Sequence, residues 1–207
     1  MRFSCDRTGF PLVTTGEMTM SMLPVTKMQF ETFLSQPGGL SSTWYQRILD
    51  LNPRVSAVDF ANDKREGLFA TGVTFEEATQ FAAWADSTGR LPRQNEWQSF
   101  AQRLRSKPFT REVAAVLARC GLSTKASNLL GRLVKLVKPT TMADLCLIRN
   151  GVFEWVHANP EPGGLGAPRD VFFPNTFDPY SDPPLKHFEQ ERSRIYGFRY
   201  LIDREKI

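Results

Sequence analysis

Between Gly72 and Leu104 the chain reads GVTFEEATQFAAWADSTGRLPRQNEWQSFAQRL, and this stretch limits the fold more than any other. Apolar side chains recur at helical spacing twice. Phe75, Ala78, Phe81, Ala82 and Ala85 share one face of a first segment. Trp97, Phe100, Ala101 and Leu104 share one face of a second, at i, i+3, i+4 and i+7. Thr74 followed three residues later by Glu77 is a capping box, so the first helix begins there. Gly89 is expected to end it, and Arg90-Leu91-Pro92 leads into the second, with Pro92 favouring an extended residue before it. The stretch predicts a helical pair packed on a core and assigns no chemistry.

The 207 residues can build one domain over 1–207, with or without a decorating insert. An apolar content of 41% with 23% charge is that of an ordinary soluble domain, which sets aside disordered and membrane classes. No run approaches the roughly 18 apolar residues of a membrane span. The opening MRFSCDRTGFPL lacks the continuous apolar core of a signal peptide. Cys5, Cys120 and Cys146 are odd in number and widely spaced, no CxxC occurs, and neither His157 nor His187 lies near a cysteine in sequence. That spacing argues against a zinc site and against a disulfide framework. A reducing cytoplasm is the expected compartment.

Phe10 to Val13 and Met18 to Met22 read as extended segments. Thr26 with Gln29 is a second capping box, opening a helix with Phe30, Phe33 and Leu34 buried and Pro37-Gly38-Gly39 ending it. Leu40 to Glu66 carries a weak helical pattern before Pro53. Cys146 to His157 is an apolar run broken by the turn dipeptide Asn150-Gly151. Residues 158–187 read as a long Pro/Gly-rich loop containing a strand-like Val171-Phe172-Phe173, and Tyr196 to Ile202 reads as one core strand.

From Arg103 to Lys138 the character changes. Arg103, Arg105, Lys107, Arg111, Arg119, Lys125, Arg132, Lys135 and Lys138 face a single acid, Glu112, so the positive charge of a chain that is +4 overall is concentrated here. Two helices are expected, over Thr110 to Gly121 and Ser127 to Val137. A solvated face is the commoner reason for such a run. The functional reading is a surface for an acidic partner. Phe109 is the only aromatic in the segment, so the base stacking that single-strand binding wants is not offered, and a protein partner is preferred.

Four fragments, in this order, resemble the formylglycine-generating enzymes, the sulfatase-modifying-factor family. They are Pro24 to Leu34; Val73 to Trp84 with Gly89-Arg90-Leu91-Pro92 and Asn95-Glu96-Trp97; Gly151-Val152-Phe153-Glu154-Trp155-Val156; and Gly197-Phe198-Arg199. The resemblance implies an α+β, C-type-lectin-like fold, helices around small antiparallel sheets with much irregular loop. Here it would carry an added basic helical insert at 105–140. The resemblance further implies an oxidase site in which two cysteines shortly before the closing Gly-Phe-Arg hold copper, a metal suited to soft thiolates. This chain departs from that pattern. Lys186 to Tyr196 contains no cysteine, and none follows Cys146. Pro168 to Phe173 stands about where the family has its RGGSW element. A related branch builds a three-histidine iron site, and this chain has two histidines. The resemblance leaves a structural calcium open, with Asn150 and Glu154 as the candidate ligands. Arg93 replaces the Thr that caps the second helix in the family. Glu96-Trp97 and Glu154-Trp155 read better as packing and hydrogen-bonding units than as acid–base pairs.

The expected function is a pseudoenzyme: a non-catalytic binding or scaffolding module and subunit of a cytoplasmic complex. It would engage an acidic or protein partner through Arg103, Arg105, Lys107, Arg111, Arg119, Arg132, Lys135 and Lys138, and through the late loop Asn159 to Pro184. The alternative is a nucleic-acid-associated accessory protein, and the second alternative a diverged oxidase-like enzyme. No catalytic residue, membrane partner or small-molecule ligand is assigned.

Overall fold

The computed structural model describes residues 1–36, 68–147, 153–157, 169–172 and 196–203. Three strands open the chain as an antiparallel meander, β1 (Arg2–Cys5), β2 (Pro11–Thr15) and β3 (Met18–Ser21), with Phe3 opposite Val13 and Val13 opposite Met20. Every residue of β2 is buried. That is why its sequence shows no alternation of apolar and charged residues, and Thr14, buried with the rest, shares a hydrogen bond with the Thr19 hydroxyl at 2.9 Å. Gly16, at φ +65, supplies the left-handed position the β2–β3 turn needs.

Helix α1 (Lys27–Leu34) and helix α2 (Phe75–Ala85) begin as their capping boxes predict. In α1 the Thr26 N–H donates to Gln29 Oε1 at 2.9 Å and the Gln29 N–H returns to Thr26 Oγ1 at 3.2 Å. Thr74 and Glu77 repeat the exchange at 2.9 and 3.3 Å. The chain continues through β4 (Gly89–Arg90), α3 (Gln94–Arg105), α4 (Arg111–Ala118), α5 (Thr124–Val137), α6 (Met142–Cys146), β5 (Phe153–His157), β6 (Arg169–Phe172), β7 (Tyr196–Gly197) and β8 (Leu201–Ile202). Five strands form one antiparallel sheet in the order β1-β2-β3-β8-β4. The other three form a second sheet in the order β6-β5-β7, with β7 parallel to β5.

The first sheet is covered on both sides. Val13, Met20 and Leu201 pack with Trp97, Phe100 and Leu104 of α3, Leu129, Leu130 and Leu133 of α5, and Leu145 of α6. Leu12, Tyr200 and Phe198 pack instead with Phe30 of α1 and Phe81 of α2, where the Phe81 ring meets Phe198 edge-on at 5.3 Å. The result is a mixed α+β architecture with antiparallel sheet.

Three expectations are corrected. Helix α2 stops at Ala85, before Gly89, because the Asp86 carboxylate turns the chain by accepting from the Thr88 N–H and hydroxyl, both at 2.8 Å. Gly89 serves close approach: a Cβ there would stand 2.1 Å from the Ala82 carbonyl oxygen. Helix α5 begins at Thr124, three residues before Ser127, since Ser123 caps it by accepting from the Ala126 N–H. Tyr196 to Ile202 is two short strands in different sheets, not one. Strand β1 and helix α6, the latter opened by a Thr141–Asp144 capping box, were not anticipated. The expectations for Pro37 to Gly39, for Leu40 to Glu66, and for most of 158–187 lie outside the described residues.

Candidate functional site

Alternation along two strands builds the polar centre of the molecule. In β5, Phe153 and Trp155 face the aromatic side, so Glu154 and Val156 face the other. In the late segment Phe198 and Tyr200 face the aromatic side and Arg199 the opposite one. The two charged groups therefore meet beside α3. Arg199 Nε donates to Glu154 Oε2 at 2.7 Å, and the Trp97 indole N–H donates to the same oxygen at 2.7 Å. The rest of the guanidinium donates to the Met22 and Cys146 carbonyl oxygens at 2.8 and 2.7 Å. Neither side chain of the Arg199–Glu154 pair is exposed. This arrangement ties β3, α3, α6, β5 and the late segment to one another. Glu154 Oε2 is thereby taken up within the fold, and the Trp155 indole donates to the Val73 carbonyl oxygen at 2.9 Å.

A second ionic group lies where β4 enters α3. Arg90 grips both oxygens of Glu96, at 2.8 and 2.7 Å, and also binds Asp203. Glu96 Oε2 accepts the Arg93 N–H at 2.7 Å, half of a capping box. The other half is absent because a guanidinium has no acceptor. Burial would raise the Glu96 carboxyl, but the bonds and charges of Arg90 and Arg93 outweigh it and hold it below its ordinary value. His157 packs its ring edge-on against Phe75 at 5.0 Å, and its backbone N–H donates to the Pro92 carbonyl oxygen at 2.9 Å. Burial first, then the cations Arg90 and Arg93, lower its imidazole pKa.

The two ends of the segment that holds α4 and α5 meet. Pro108 bridges Thr141, the Phe109 N–H donates to Thr140 and the Met142 N–H to Lys107. Between these ends, α4 and α5 dock Leu117, Ala126, Leu129, Leu130 and Leu133 into the main core, which leaves Arg103, Arg105, Lys107, Arg111, Arg119, Arg132, Lys135 and Lys138 all exposed. On α5, Asn128, Gly131, Arg132 and Lys135 share the side opposite the leucines. Arg103 Nη1 donates to the Thr15 carbonyl oxygen at 2.7 Å, and Arg119 Nε to the Ala115 carbonyl oxygen in its own helix at 3.2 Å. Phe109 is partly buried against the core.

Of the two candidate calcium ligands Glu154 is described and Asn150 is not, and among the described residues Glu154 Oε1 is buried with no hydrogen-bond partner. Calcium takes six to eight oxygens, no group of three Asp, Glu, His or Cys side chains occurs among the described residues, and Arg199 already neutralises this carboxylate. Asn150, His187 and the loop of 159–168 and 173–184 lie outside the described residues. Sequence reading quoted Arg199 as part of a motif but missed its role. The signal was there: an arginine flanked by Phe198 and Tyr200 in an apolar run has to be buried with a partner. It also missed Asp6, whose carboxylate accepts from the Thr8 N–H and hydroxyl, the Phe10 N–H, Gln29 Nε2 and the Tyr200 hydroxyl, and so fastens the first turn to α1 and the late segment.

No helix among the described residues is long and apolar enough to cross a membrane. Compared with known families, residues 12–115 match the sulfatase-modifying factor enzyme 1-like domain, a match that ends inside α4. No curated protein and no solved structure matches the chain.

Proposed function

The chain belongs to the sulfatase-modifying factor enzyme 1-like domain family, and from that premise we propose that this member binds a partner and does not catalyse. The observation that carries the reading is the charge of the segment Arg103 to Lys138, nine lysines and arginines against one acid, of which Arg111, Lys125, Arg132 and Lys135 stand on α4 and α5, helices whose apolar sides pack on the core. Cations held on a rigid, docked pair of helices are pre-positioned, so an acidic partner meets them without ordering a loose arm. The absence of any cysteine after Cys146 supports a non-catalytic member, since the family resemblance places its copper-holding thiols there. A protein with an acidic surface, within a cytoplasmic assembly, is the preferred partner. Nucleic acid is the alternative, and the inward packing of Phe109 weighs against single strands.

The test is capture from native lysate by the wild-type chain and by the triple variant Lys107→Glu, Arg111→Glu, Lys135→Glu. These exposed positions have no side-chain bond in the fold comparable to that of Arg103, so unfolding free energy should change by no more than about 0.5 kcal/mol each. The expected result is a partner retained at low salt, released as salt rises, and not captured by the variant. Capture unaffected by charge reversal, or a wild-type chain that stays alone, overturns the reading. Nuclease treatment of the captured material separates the nucleic-acid alternative.

A further inference from the structure

Cys5 ends β1, and Cys120 follows the last turn of α4. They lie 115 residues apart in sequence, yet their sulfurs are 3.5 Å apart and Cys5 Sγ donates to the Cys120 carbonyl oxygen at 3.1 Å. Both are half-buried free thiols, whereas Cys146 is fully buried in the core. The approach is fixed on both sides of the pair. The Ser123 N–H donates to the Gly9 carbonyl oxygen at 2.9 Å, and a Cβ placed on Gly9 would meet Ser123 Cβ at 2.6 Å. The turn between α4 and α5 is thus pressed against the β1–β2 turn, with Gly121, at φ +88, bending the chain just after Cys120.

We propose that Cys5 and Cys120 form a cross-linking site, a thiol pair that small-molecule disulfides of the glutathione class convert into one intramolecular disulfide joining the first strand to the basic helical pair. A disulfide bond is about 2.05 Å long, so the sulfurs have to close by about 1.5 Å, a shift within reach of rotation about the Cα–Cβ bonds of Cys5 and Cys120. One thiol loses its proton, and its thiolate attacks a sulfur of the small disulfide. The S–S bond breaks, one small thiolate leaves, and a mixed disulfide remains on the protein. The second cysteine then loses its proton, attacks the protein sulfur of that mixed disulfide and expels the other small thiolate. Two protein thiols are oxidised to one disulfide, one small disulfide is reduced to two thiols, and the two released protons complete those thiols. Burial, and then the Cys120 thiol beside it, push Cys5 up to about 12. Each step needs a thiolate, so the cross-link forms more quickly as pH rises. The odd number and wide spacing of the cysteines concealed this pair, because spacing along the chain does not report adjacency across a sheet edge.

The experiment treats the folded, reduced full-length chain with glutathione disulfide, quenches with acid, alkylates under denaturing conditions and reads intact mass and peptide maps. The expected product has lost two hydrogens, retains one alkylatable thiol at Cys146, and yields a linked Cys5–Cys120 peptide, more quickly at higher pH. Cys5→Ser and Cys120→Ser should each stop at a mixed disulfide on the remaining thiol. The proposal is overturned if the wild-type chain also stops at a mixed disulfide, if the link includes Cys146, if all three thiols remain alkylatable, or if the cross-link forms only in the urea-unfolded chain.

Discussion

Arg199 and Glu154 meet at 2.7 Å with neither side chain exposed to solvent. A charge pair in that position is costly to separate, because each ion was removed from water on the condition that the other is present. Arg199→Met should strand a buried carboxylate, and Glu154→Gln a buried guanidinium. Each is expected to destabilise the fold by about 3–5 kcal/mol, measured as a lowered urea midpoint. The double variant should lose less than the two losses added together, because it leaves neither charge alone. Strict additivity would show that the pair is not coupled.

Helix α3 starts without a side-chain acceptor, since Arg93 occupies its N-cap with an extended backbone at φ −76 and ψ 156. That backbone already suits a capping hydroxyl. Arg93→Ser should therefore complete the box whose other half Glu96 already makes, and stabilise the chain by about 1 kcal/mol. A melting temperature that fails to rise would refute the assignment of the missing cap.

Two glycines should respond in opposite senses to the same substitution. Gly131 lies mid-helix in α5 on the exposed side, and a Cβ there meets nothing within 4 Å. Gly131→Ala should stabilise by about 1 kcal/mol through helix propensity alone. At Gly89 the new atom would run into the Ala82 backbone, so Gly89→Ala should destabilise by about 1–3 kcal/mol. Chemical denaturation of both variants makes the comparison.

Acid should weaken the fold in two steps. The folded chain holds the His157 imidazole below its ordinary 6.5, by burial first and by Arg90 and Arg93 second. The unfolded chain therefore takes that proton more readily, and stability that is whole above pH 6.5 declines as pH falls from there toward the lowered folded value. Glu96 and Asp144 follow at lower pH. Burial opposes the shift in both, but Arg90 and the Arg93 N–H hold Glu96, and Thr141 and Thr140 hold Asp144, below the ordinary 4.5 and 3.8. Their contribution is present above those values and is lost as pH drops through the folded ones. Urea midpoints from about pH 8 to about pH 3 should show both steps, and His157→Gln should erase the upper one while leaving the lower.

Local signals carried much of the fold. Thr26 with Gln29 and Thr74 with Glu77 mark helix starts because a cap involves neighbours in sequence, and the faces of α2 and α3 follow from a period that packing then preserves. What escaped depends on partners far along the chain. Strand β1 has little apolar pattern because it is a half-buried sheet edge, and Tyr196 to Ile202 looks like one strand because all of it is apolar enough for either sheet. The family match, over residues 12–115, covers the region where the local signals are densest. The basic residues were equally legible as a cluster. That Arg103 is also fastened to the β2–β3 turn was not, since nothing near it in sequence mentions Thr15.

Strand β8 lies between β3 and β4, which gives this protein an awkward birth. On the ribosome the meander and the helical pair emerge before the strand that fills the gap between them, and β7 arrives only just before that strand. Until Leu201 and Ile202 are made, the nascent chain carries two sheet edges with unpaired backbone facing that gap, the kind of surface on which strands of other chains add. Chaperone demand should therefore fall abruptly once Leu201 and Ile202 clear the exit tunnel, and chains arrested before Tyr196 should remain chaperone-bound.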